Sequence, residues 1–112
     1  MAAPYDIILT DAGQKTLNFQ QAYGNNTKAL CFPKSEIIEI LNQPNCTGIR
    51  IYFALSDPAR PKDITVVICG VKDVVIGGVT TIVDIASNGS KIKNSGIACP
   101  PNCTNPSNDL SH

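Results

Sequence analysis

The most regular alternation of apolar and polar positions starts at Thr47 and runs to Leu55. Ile49, Ile51, Phe53 and Leu55 take one face, and Arg50, Tyr52 and Ala54 the other, which is the period of a strand. The first face reads as core and the second as facing solvent or a site. Upstream the period is helical. Ala12, Thr16, Phe19 and Tyr23 recur at spacings of four, three and four, with Leu17 on the far side. They predict a helix capped by Thr10 or Asp11 and ending near Ala22, before the turn sequence Gly24-Asn25-Asn26. Tyr5 to Thr10 reads as a strand or packed coil, and Lys28 to Phe32 as a short strand. Pro33 suits the first turn of a second helix over Lys34 to Asn42, where its missing N–H leaves no bond unmade. That helix carries Ile37, Ile38, Ile40 and Leu41. Glu36 complements its dipole, and Pro44 closes it.

After the loop from Ser56 to Asp63, Ile64 to Val71 is apolar at successive positions, as in a central strand. Gly70 inside it predicts a bulge or a close backbone approach. Val74 to Ile76 reads as a further short strand or the far arm of a turn. Gly77-Gly78 is a hinge, and the β-branched run Val79 to Ala86 another strand. Asn88-Gly89-Ser90 is a turn, and Lys91 to Cys99 reads as one more short edge strand. The predicted architecture is α+β: an antiparallel sheet of about three to five strands with two helices packed on one face. At 112 residues this is one domain, expected over 1–103, with a flexible tail over 104–112 rich in Pro, Asn and Ser.

Composition narrows the function classes. Nine Lys and Arg balance nine Asp and Glu, so the basic footprint of a nucleic-acid binder is missing. A chain of zero net charge does little to oppose self-association, and a homo-oligomer is expected. The apolar runs fall far short of the ~18 residues of a membrane span. Met1 to Asp6 shows no basic n-region, so a cytoplasmic chain is expected. The sequons at Asn25, Asn45, Asn88 and Asn102 are then read as chance matches.

The segment from Phe32 to Tyr52, with Gln43-Pro44-Asn45-Cys46-Thr47-Gly48-Ile49-Arg50-Ile51-Tyr52 at its end, resembles a family of small uncharacterised bacterial proteins. These are common in Bacteroidetes and carry the pattern Q-P-G-C-x-G-I-R-I-Y. The resemblance continues through Val66 to Asp73, like the family's L-V-L-V-G-V-D, and ends at Cys99-Pro100-Pro101-Asn102-Cys103, like its C-P-P-x-C. It spans roughly residues 10–103. The chain departs from the pattern in three places: Asn45 replaces a Gly, Lys72 precedes Asp73, and residues 79–98 form a longer stretch. The resemblance implies a bacterial cytosolic domain and no particular activity.

Five cysteines stand at 31, 46, 69, 99 and 103. An odd count in a cytosolic chain argues against a disulfide framework. Cys31 and Cys69 lie in apolar strand contexts and read as small core residues. Cys99 and Cys103 have the spacing of a zinc pair. A polyproline stretch would hold them about 12 Å apart, beyond the reach of a disulfide, unless Asn102 turns sharply or a proline is cis. Cys46, Cys99 and Cys103 are therefore a candidate cluster: a zinc site, a disulfide with one free thiol, or three free thiols. Arg50 and Tyr52 are candidate binding residues. Arg50 can take a carboxylate or phosphate as a planar fork, or pair within the sheet with an Asp or Glu. Catalysis has little to stand on. The one histidine is His112, and Gly77-Gly78 lacks the lysine and serine of a phosphate loop. Glu36 and Glu39 on one helix face read as a solvated surface. The reading is a non-enzymatic domain that binds a protein partner or itself, through a sheet edge or the face of Arg50 and Tyr52, without cofactor. The alternative is a zinc or thiol-redox module built on Cys46, Cys99 and Cys103.

Overall fold

The computed structural model describes residues 4–101, 103 and 108–110. Helix α1 spans Leu9–Ala22, strand β1 Ala29–Cys31 and helix α2 Lys34–Leu41. Strands β2 Gly48–Leu55, β3 Ile64–Ile76, β4 Val79–Ile85, β5 Lys93–Asn94 and β6 Ile97–Cys99 follow. All pairings are antiparallel. β2, β3 and β4 lie in that order, with β5 also on β3, and β1 pairs with β6 in a separate two-stranded sheet. The fold is α+β.

Boundaries moved where local chemistry outweighed the pattern. α1 begins one turn position early, with Ile8 as its extended N-cap, so neither Thr10 nor Asp11 caps it. Pro33 is the N-cap of α2, one residue before the helical turn. Ile64 to Ile76 is one strand, because β2 pairs with its first part and β4 with its second. Lys91 to Cys99 is two short strands in two sheets. Ser95 between them has φ 65°, which breaks the extended path.

Gly70 marks the close joint between α2 and the sheet. It keeps regular register between Ile49 of β2 and Ile85 of β4, so it is a close approach and no bulge. A Cβ there would stand 3.0 Å from Cys46 Sγ, 3.0 Å from Gln43 Nε2 and 3.3 Å from Ile40 Cγ2. Ile40 is wholly buried at this spot, and the buried Ile68 shares the face of β3 on which Gly70 meets it. Gln43 donates to the Ile40 carbonyl and accepts from the Lys91 N–H, tying the end of α2 to the segment before β5. Lys93 of β5 completes the docking through Glu36 at 2.6 Å and Glu39 at 3.3 Å on α2. The turn into β2 passes through Asn45 at φ 65°. Asn tolerates this left-handed geometry better than most residues.

The face of β2 expected to be core is open. Ile49, Ile51, Phe53 and Leu55 are all exposed, Phe53 by 85 %. The eight residues of α2 cover only the end of the sheet around Gly70. α1 stands off as the far wall of a groove over the rest. Its stripe is accordingly half open, with Ala12 and Thr16 partly buried and Phe19 and Tyr23 exposed. Cys31, expected in the core, is exposed as well, while Cys69 is buried as expected.

Candidate functional site

Cross-strand register assigns each side chain to a face. Partners in an antiparallel pair share a side. Ile49, Ile51, Phe53 and Leu55 therefore share a side with Gly70, Ile68, Val66 and Ile64, the side that α2 covers at one end. The groove on this side has a volume of about 500 Å³. Phe19 of α1, Leu30 of β1 and Phe32 form its outer wall, and Ile51, Phe53 and Ile68 its floor. Its walls are almost wholly apolar, with Lys15 and Lys28 at the polar margin.

Arg50, Tyr52 and Asp84 lie together on the opposite side. Arg50 and Asp84 sit on the strands flanking β3, next to Cys69 and Val71. Arg50 Nη1 donates to Asp84 Oδ1 at 2.8 Å, and the Tyr52 hydroxyl donates to Asp84 Oδ2. Both carboxylate oxygens are thus engaged. Hydrogen bonding with Tyr52 first, and the Asp84 charge second, hold the Arg50 guanidinium above its ordinary range. Of the two readings of Arg50, pairing within the sheet is the one seen. The arrangement pins β2 to β4 across β3 and shields the Cys69 thiol. Burial first, then the Asp84 charge, pushes that thiol up, so it stays protonated and unreactive near neutrality. Asp84 is the member that sequence reading missed. Its place opposite Val71 depends on the β3–β4 register, which the Gly77-Gly78 turn sets.

The three candidate cysteines do not form one site. Cys99 and Cys103 are joined as a disulfide, with Cα atoms 4.7 Å apart and cis peptide bonds at Cys99-Pro100 and Pro100-Pro101. The extended path of about 12 Å is therefore not the one taken. Cys46 lies at Gly70, where its thiol donates to the Gly48 carbonyl at 3.2 Å. Among the described residues, no group of three His, Cys, Asp or Glu side chains is placed to hold a metal ion. The third cysteine lining the cavity of Cys99 and Cys103 is Cys31. His112 falls outside the described residues, as does most of the expected tail. Within that tail, the Leu110 carbonyl accepts from Gln20 on α1, and Asp109 lies against Gly13.

A second exposed feature is the arm made by the ends of β3 and β4. The pairing of β2 with β3 ends at Gly48 and Val71, so residues 72–76 of β3 pair with β4 alone. Gly77 and Gly78, at φ 58° and 79°, close the arm. Positive φ at both central residues gives a turn whose twist matches the strands. Val75, Ile76, Val79 and Ile82 on this arm are all exposed, Val75 by 70 %. No strand among the described residues pairs with either outer edge. No helix among them is long and apolar enough to cross a membrane.

Comparison with known proteins finds no matching family, no matching curated protein and no matching solved structure.

Proposed function

We propose that this chain is a non-enzymatic interaction domain that works by protein–protein contact, with a second copy of itself as its first partner. The observation that carries the reading is the row Ile49, Ile51, Phe53 and Leu55 standing open along one face of β2. Such contiguous apolar surface marks an interface in a folded chain. The β3–β4 arm supplies a second element for the same purpose. A two-stranded ribbon is marginal by itself, and open apolar edges invite pairing.

Sedimentation velocity tests the reading. The chain is expected to run as a dimer or larger assembly, and Phe53→Glu to weaken association by at least about tenfold. Because Phe53 is mainly exposed, the circular dichroism of the variant should match the parent. A monomeric parent that binds an apolar dye such as ANS would shift the partner from self to another protein. A monomer that binds no dye would mean the face is covered within the chain, and would sink the proposal.

A further inference from the structure

We propose that Cys31, Cys99 and Cys103 form a thiol–disulfide exchange site, in which Cys31 takes over the bond that Cys99 makes with Cys103. The site lies apart from the groove floor and the β3–β4 arm and does not depend on the interaction reading.

Three observations converge on it. Cys31 is a free, exposed thiol. The β1–β6 register pairs Cys31 with Ile97 and Ala29 with Cys99. Cys31 and Cys99 are therefore diagonal neighbours on one face, about 7–8 Å apart between Cα atoms. Finally, Cys31, Cys99 and Cys103 line a single cavity of about 230 Å³. A disulfide wants Cα atoms within about 7 Å, so closing a Cys31–Cys99 bond needs β1 and β6 to shift by about 1 Å along one another. β1 and β6 are three residues each in a sheet with no third strand among the described residues, and so small a ribbon yields readily.

The step balances without an external oxidant. Cys31 gives its proton to solvent, and its thiolate attacks Cys99 Sγ. The Cys31–Cys99 bond forms as the Cys99–Cys103 bond breaks. The electron pair leaves on Cys103 Sγ, which takes a proton from solvent. One disulfide and one thiol are present before and after. Cys99 is buried and Cys103 exposed, so Cys103 is the sulfur that can leave into water. Exchange converts a local loop clamp into a covalent tie between β1 and β6 and presents Cys103 as a free thiol.

Non-reducing peptide mapping of the full chain tests this, after equilibration in a glutathione redox buffer in which the parent holds its disulfide. In Cys103→Ser, Cys31 and Cys99 are expected to be linked, with Cys31 alkylated about tenfold more slowly than in the parent. In Cys31→Ser the Cys99–Cys103 bond should remain. If Cys103→Ser instead leaves Cys31 and Cys99 as separate thiols, or as separate glutathione adducts, the proposal is overturned. Should that variant fail to fold, the parent decides. Brief exposure to a trace of thiol followed by acid quenching should yield a Cys31–Cys99 peptide pair with Cys103 free, and finding only Cys99–Cys103 pairs would also overturn it.

Discussion

Gly70 shows how one residue can carry a joint. The sequence marks it as a glycine inside an apolar strand, but the reason lies 24 residues upstream, at Cys46. The side chains of Cys46, Gln43 and Ile40 occupy the space a Cβ would need, and Ile40 has no exposed surface to yield into. Gly70→Ala should therefore destabilise the chain by about 1–3 kcal/mol, the usual cost of overpacking. Gly48→Ala, whose Cβ would meet only Val71 at 3.6 Å, should stay within about 0.5 kcal/mol. Urea midpoints of the two variants check this, and equal shifts would mean that the contacts around Gly70 relax at no cost. Arg50 teaches a related lesson. Its alternation on β2 was legible, whereas its partner Asp84 comes from a strand 34 residues later and needed the register.

Among the elements, α2 is held to the sheet by the buried Ile40 and by ion pairs of Glu36 and Glu39. Lys93 reaches Glu36 and Glu39, and hydrogen bonding with Glu36 first holds its ammonium above the ordinary lysine value of 10.5. A group whose pKa rises on folding contributes stability fully below the unfolded value. It loses that contribution as pH climbs through the folded one. The stability advantage of the parent over Lys93→Met should therefore persist at neutral pH and shrink as pH rises past 10.5. Chemical denaturation on both sides of that value measures it, and an advantage independent of pH would assign the loss to packing. The helical and strand periods were legible for α1, α2, β2 and β4. The split of the last strand was not, because Lys91 to Cys99 has one composition yet serves two sheets, and only the left-handed Ser95 separates them.

At the scale of the molecule, apolar area is left over. The expected core face of β2 is a genuine apolar face, and periodicity identified it correctly. What covers it is a separate matter, which alternation along a strand cannot report. If a second copy covers it, folding and association are linked, and the melting temperature must rise with protein concentration. Scanning calorimetry over about a hundredfold range of concentration should show this rise in the parent, and a smaller one in Phe53→Glu. A melting temperature independent of concentration in a parent that sediments as a dimer would mean that the monomer folds unaided.

The sequence by itself determined the element types, the α+β class, the apolar face of β2 and the special status of Gly70 and the Cys99–Cys103 segment. These follow from local rules: side-chain period, the fixed φ of proline, and the freedom of glycine. Tertiary structure decided the rest. It gave Arg50 and Tyr52 their shared carboxylate at Asp84, sent Cys46 to Gly70, and placed Cys31 beside the disulfide of Cys99 and Cys103. The Gln43 to Phe53 stretch joins the two levels. Its turn and alternation are written locally, but whether its apolar row lies in a core or faces a partner depends on how far two helices can reach across a four-stranded sheet.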